Sequence, residues 1–284
     1  LSSVEIYDPG SDRFTPGPPM GTARTNHTAT LVHDGRVLIT GGENSAGVIR
    51  SSEVFDPSRS IWESEHDLRI ARANHIATVL ADGRVIVAGG HGVGGAVLRS
   101  VEIWDLETEI WSTANEMPQA RSGHTATLLD TGNLLVAGGV TADGDVASSA
   151  VLFRADTDGW TPTGGMTSAR HMATAELLLD GRVLMAGGKD TDGAPIASSE
   201  IYDSVSGQFS FGGDMNQPRV GHEAVLLADG SVLVLGGEGL QSAEIWDGTW
   251  RRTGGANHRR DEFEMLTLPD GRVMIAGGES PIVE

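Results

Sequence analysis

Short apolar runs of four to six residues recur along the whole chain, each cut off by Gly, Asp, Asn or Pro. Between Arg72 and Met117 the runs are His75–Leu80, Val85–Ala88, Val101–Asp105 and Ile110–Ser112. They are rich in β-branched and aromatic residues, which predicts four strands in that stretch. No segment sustains a 3.6-residue apolar period, so almost no helix is expected. Asp-Gly separates the first two runs at Asp34-Gly35, Asp82-Gly83, Asp180-Gly181, Asp229-Gly230 and Asp270-Gly271, with Thr131-Gly132 as a variant. Such a pair suits a two-residue hairpin turn with positive φ at both central residues.

The four-run unit repeats. Arg24, Arg72, Arg121, Arg170, Arg219 and Arg260 are each followed 17 residues later by a Gly-Gly pair, at a period of 48 or 49 residues that falls to 41 at the last step. The third run opens on Glu5, Glu53, Glu102, Glu200 and Glu244, with Val151 as the exception. Two residues on stand Tyr7, Phe55, Trp104, Phe153, Tyr202 and Trp246, and a further aromatic marks the fourth run ten residues before the next arginine. Four antiparallel strands in a unit of this length, repeated, predict an all-β fold, a β-propeller.

The pattern Arg-x-x-His, Asp-Gly-Arg-Val-Leu-x-x-Gly-Gly, Glu-x-aromatic-Asp, then Trp resembles the kelch repeat, over essentially the whole chain. Blades are expected at 24–68, 72–117, 121–166, 170–215 and 219–255. Residues 260–284 would join residues 1–20 in a sixth blade that closes the ring and hides its sheet edges. Ser280–Glu284 resembles the start of another third strand, as if the chain were part of a longer protein.

Composition narrows the function. The net charge is −19 with a single lysine, Lys189, which speaks against nucleic acid as a partner. There is no cysteine, which excludes disulfides, and no apolar run of membrane-spanning length. Within the resemblance, copper oxidases related to galactose oxidase build a cofactor from tyrosine and cysteine. That cofactor cannot form here. The Glu-x3-Asp-x3-His motif of the iron-dependent specifier proteins is also missing. No catalytic residue, cofactor or metal site is assigned, and a noncatalytic domain, monomeric or within a larger chain, is expected. The Asp-Gly-Arg-Val-Leu-x-x-Gly-Gly units look like those of bacterial kelch proteins, often extracytoplasmic.

Candidate binding residues fall into three sets. The resemblance puts Arg24, Arg72, Arg121, Arg170, Arg219 and Arg260 near the mouth of the central channel, where they could form a funnel for a small anion, a carboxylate or an anionic sugar. The alternative to a protein-binding domain is then a small-molecule binder, or an enzyme similar to the kelch-fold sialic acid mutarotases. Against this stands pairing of each arginine with the glutamate 19 residues earlier, which would leave Arg170, opposite Val151, the most available. His27, His75, His124 and His222 follow their arginines by three and are expected to bond backbone of their own or the adjoining blade. Glu43, His91, Lys189, Glu238, Val140 and Glu279 follow the Gly-Gly pairs and vary while their flanks repeat. Variation on a rigid frame is the pattern of a surface for a protein or peptide partner. Asp156–Gly159 and Asp190–Gly193 read as turns, not calcium loops. The Arg219 unit departs most, with a shortened turn before Trp250 and Arg251, Arg252, Arg259 and Arg260 after it.

Overall fold

In a computed structural model, described for residues 1–64, 66–261 and 263–278, the chain is built from short antiparallel strands. The one helical segment among the described residues is a 3₁₀ turn at Val93–Gly95. The chain divides into two compact units, one of residues 1–123, 141–144 and 153–160, the other of residues 124–140, 145–152 and 161–284.

The first unit holds two complete four-stranded sheets. One runs Thr28–Leu31, Val37–Thr40, Ser52–Asp56, Ile61–Ser64, and the next Ile76–Val79, Val85–Ala88, Val101–Asp105, Ile110–Ala114. Strands lie side by side in chain order, as a meander requires. Val4–Asp8 and Arg13–Gly17 form a two-stranded sheet in the same unit.

The second unit repeats the plan. Thr174–Leu177, Val183–Ala186, Ile196–Asp203 and Gln208–Arg219 make one sheet, and His222–Leu226, Val232–Gly236, Ala243–Trp246 and Trp250–Thr253 the next. The pairs Thr125–Leu128 with Asn133–Ala137, and Phe263–Thr267 with Val273–Gly277, belong to this unit too. The expected strand start at Ser280–Glu284, and Glu279, lie outside the described residues.

The Asp-Gly turns depart from expectation. Val32 N donates to Arg36 O and Gly35 N to Val32 O, both at 2.9 Å, which encloses a three-residue loop. Only the glycine takes positive φ, +88° at Gly35, so this is a type I turn followed by a left-handed glycine. The aspartate has another task. Asp34 accepts the N–H of Arg36 at 3.0 Å and its Nε at 2.7 Å, which holds the arginine over the turn.

The core lies between consecutive sheets. Val32, Leu38 and Val54 of one pack with Val85, Val87, Trp104 and Trp111 of the next. In the second unit Leu184, Ile201 and Met215 pack with Ala224, Val232, Val234 and Trp246. Each middle strand is buried on both faces, which explains apolar runs such as Val85-Ile86-Val87-Ala88. The paired aromatics of the third and fourth strands meet across the ladder, as Phe55 and Trp62 do with ring centroids 5.0 Å apart.

Candidate functional site

The repeating arginines begin each blade, and all six are at most 3% exposed. Arg72 Nη1 donates to Gly89 O and Ser100 O, both at 3.0 Å, and Nη2 to the Ser100 hydroxyl at 3.0 Å and Glu102 Oε1 at 2.9 Å. Arg24, Arg170 and Arg219 repeat this set with Ser51 and Glu53, Ser198 and Glu200, and Ser242 and Glu244. Arg260 Nη1 reaches Gly277 O at 2.7 Å. The 17-residue spacing therefore has a cause. It sets the guanidinium against the carbonyl of the first glycine, where the second strand ends.

Two expectations about pairing need correction. Arg24, Arg72, Arg170 and Arg219 each pair with the glutamate of their own blade, 25 to 30 residues later, and not with the one 19 residues earlier. The earlier glutamate already serves the preceding arginine. Arg170, expected to be the most available, is paired with Glu200 at 3.1 Å. In the forward register the glutamate position that corresponds to Arg121 is Val151 in the sequence, and Arg121 Nη2 donates to Gln119 Oε1 at 3.4 Å. The serine two residues before each glutamate completes the set. It recurs at Ser51, Ser100, Ser198 and Ser242, with Ser149 two residues before Val151.

Each carboxylate is also held by backbone. Glu102 accepts the N–H groups of Arg69 at 2.7 Å and Ile70 at 3.2 Å, and Glu200 those of Thr167 and Ser168. Burial lowers the Arg72 guanidinium from its usual range, and Glu102 opposes that shift. For Glu244, burial pushes upward, but bonds from Asn216 and Arg219 outweigh it and hold the acid below the usual range. With at least four of five N–H groups of Arg24, Arg72, Arg170 and Arg219 engaged inside the fold, an anion funnel at these four has no free fork to use.

The glycine pair belongs to the same device. Gly42 N donates to Arg72 O at 2.8 Å, and Gly90 N, Gly139 N, Gly188 N and Gly237 N likewise to the carbonyl of the next arginine. A Cβ on Gly41 would lie 2.4 Å from Arg72 O, and φ there is +57°. Only glycine fits.

His75 and His222 link blades through side-chain hydroxyls. His75 Nε2 lies 3.1 Å from the Thr28 hydroxyl and 3.0 Å from that of Thr40, both in the preceding blade. His222 Nε2 lies 3.1 Å from the Thr174 hydroxyl. Burial, with Arg219 nearby, pushes His222 down to about 3, so it is neutral.

The variable residues stand at the Gly-Gly ends of the blades, partly exposed. Asn26 Nδ2 donates to Glu43 Oε1 at 2.6 Å, and Glu43 Oε2 is 3.9 Å from His91 Nε2. Lys189 Nζ is 3.4 Å from Glu238 Oε1. Both pairs join neighbouring blades of one unit. Val140 makes only a short bridge to Val146 among the described backbone pairs.

A third group was not anticipated. Glu176 and Glu223 sit on the innermost strands of the second unit, lining a cavity of about 430 Å³ with His124, Thr125, Met172, Thr174 and His222. Burial raises Glu176 to about 7. Burial, then the charges of Glu264 and Glu176, raises Glu223 to about 8. The sequence signal was present, since the matching positions of earlier blades hold Thr28, Thr30, Ile76, Thr78, Thr125 and Thr127, and a carboxylate in such a run is out of place. Met172 has φ +54°, where the earlier blades have Asn26, Asn74 and Gly123.

Stacked four-stranded meanders bound by a repeated Arg–Glu–Gly-Gly device define a β-propeller of the kelch type. The profile of the KLHDC2/KLHL20/DRC7 Kelch-repeats domain matches residues 11–188, more than half of the chain, and the chain belongs to the kelch-repeat family. Among solved structures it is similar to a fungal alcohol oxidase of the AA5 family in complex with copper, with TM-score 0.81 and 18% identity over 97% of this chain. It spans 63% of the oxidase's length. It is also similar to YjhT, with TM-score 0.74, 18% identity and 93% of each chain covered. No curated protein matches it in sequence. At such identities the two structures speak for the fold alone.

Proposed function

We propose that the chain is a noncatalytic interaction domain that binds a protein or peptide at the Gly-Gly ends of its blades. Kelch propellers commonly bind proteins. The observation that carries the reading is the chemistry of Glu43, His91, Lys189 and Glu238. They vary among Glu, His and Lys across four blades, are partly exposed, and stand on a framework whose buried arginines Arg24, Arg72, Arg170 and Arg219 are engaged internally. The test is a photo-crosslinker placed at His91 or Lys189, with the adduct identified and its binding measured. Charge reversal at Lys189 and Glu43 should weaken that binding at least tenfold and leave the unfolding midpoint within about 2 °C. Binding indifferent to both would refute the reading.

A second reading, a small-molecule site in the cavity of about 430 Å³ in the second unit, draws on Glu176 and Glu223. Carboxyls held near neutrality in a cavity could exchange protons with a neutral or cationic ligand. An anionic sugar fits poorly beside them. A copper–radical centre fits no better. The chain has no cysteine, and of its tyrosines Tyr202 is buried against the Thr163 hydroxyl at 2.7 Å while Tyr7 bonds Asp12 at 2.6 Å. We further propose the six-bladed closure by residues 1–20 and 260–284, tested at Glu5 below.

A further inference from the structure

At their Asp-Gly ends blades of the first unit are clasped by two further arginines, Arg36 and Arg84. Arg36 bonds Asp34 of its own turn and reaches Glu109 of the next blade at 2.7 Å. Arg84 bonds Asp82 and reaches Asp158 of the next blade at 2.9 Å, with Ala155 O at 2.9 Å. Glu109 and Asp158 hold one structural position, the left-handed residue closing the turn between third and fourth strands, with φ +57° and +48°. Each arginine thus takes one carboxylate from its own blade and one from its neighbour.

Arg182 should do the same, and its Nε and Nη2 bond Asp180 at 2.8 and 2.6 Å. Its neighbour differs. The paired aromatics of the Arg219 blade, Trp246 and Trp250, are four residues apart, against seven for Trp104 and Trp111. The turn has lost three residues, and its left-handed position is Gly248, φ +104°, with no side chain. No carboxylate from the next blade reaches Arg182 among the described residues. Where the clasp would stand there is a cavity of about 390 Å³, lined by Arg182, Arg251, Leu179, Ser231, Trp246 and Gly248, among others. Arg251 is tied to Asp247 at 3.1 Å on its far wall, and Leu179 is 71% exposed on its rim.

We propose that this cavity is a carboxylate-binding site, in which an acidic side chain of a peptide meets Arg182 as Glu109 meets Arg36 and Asp158 meets Arg84. What is missing is a stretch of peptide ending in a carboxylate, so a peptide restores both the backbone and the charge. The surrounding Asp180, Asp229 and Asp247 do not forbid it, because Arg36 holds Asp34 and Glu109 together with Glu63 3.9 Å away. Leu179 offers apolar surface to the residue beside the acid. This site lies at the opposite end of the blades from the proposed partner surface and does not depend on it.

The test uses a blocked pentapeptide with the sequence of Leu106–Ile110, its Glu109→Gln counterpart, and free glutarate, titrated against the intact chain by NMR. The acidic peptide should bind with a Kd of about 1 mM or below, and Arg182→Gln should weaken it at least tenfold, while Arg99→Gln, exposed in the other unit, leaves it unchanged. A second variant guards against misfolding of the first. Lengthening the Asp247–Thr249 turn to match Asp105–Glu109 supplies an internal carboxylate, and should abolish peptide binding while raising the unfolding midpoint. Binding of glutarate alone, lost in Arg182→Gln, would keep the site and overturn a peptide as its ligand. Absence of binding by either probe, or binding indifferent to both variants, would overturn the site.

Discussion

A guanidinium bonded to two carbonyls, a hydroxyl and a carboxylate, all out of water, is costly to break from one side. Removing one partner leaves the other charge buried and unpaired. Arg72→Ala or Glu102→Ala should therefore cost roughly 3–5 kcal/mol in chemical denaturation. Arg72→Lys should also destabilise, since an ammonium cannot span Gly89 O, Ser100 and Glu102 from one plane. The arginines were legible from spacing, but their role was not. Spacing gives the period and is silent on whether a side chain turns into the blade or toward an opening.

Titration belongs to this scale too. The folded pKa of Glu223, about 8, lies above the ordinary glutamate value of 4.5 that the unfolded chain carries. The native state therefore holds more protons between those values, and stability present below pH 4.5 is lost as pH rises through 8. Glu223→Gln should raise the unfolding midpoint at pH 8.5 and leave it nearly unchanged at pH 4.5. His222, folded near 3 against 6.5 unfolded, acts on the other side, with stability complete above pH 6.5 and lost as pH falls toward 3.

For single elements the sequence was most informative where strands are short and bounded. The runs from Val85 to Ala88 and from Val101 to Asp105 fall at strands with those same limits. The turn type was missed because Asp-Gly is compatible with two hairpin loops. The choice rests on Val32 N reaching Arg36 O, a bond no dipeptide rule contains. Asp82→Ala should test its value. It removes the caps on Arg84 N at 3.1 Å and Nε at 2.8 Å and loosens the hold on Asp158, for a loss of about 1 kcal/mol that 1 M salt should reduce. The carboxylates of the innermost strands escaped notice because a periodic reading seeks what repeats, and Glu176 and Glu223 are departures.

For the molecule as a whole, the proposed closure makes a sharp demand. Glu5 is the one repeat glutamate with no arginine before it in the chain, and on its strand it is exposed. If its blade is completed by the C-terminal strands, Glu5→Ala should cost about as much as Glu102→Ala. A loss below roughly 0.5 kcal/mol, ordinary for a surface site, would argue for open ends.

The carbonyls of Arg72, Arg170, Arg219 and Arg260 each receive the N–H of a glycine in the blade before, while the guanidinium binds the glycine carbonyl of its own. The two bonds recur at every junction where both are described. A duplication or deletion of one whole unit would therefore return the arginine carbonyl and the glycine pair to equivalent backbone partners. Such a chain can change length by recombination without inventing a new contact, and substitutions of single residues, such as Val151 or Gly248, are then what distinguish one copy from the next.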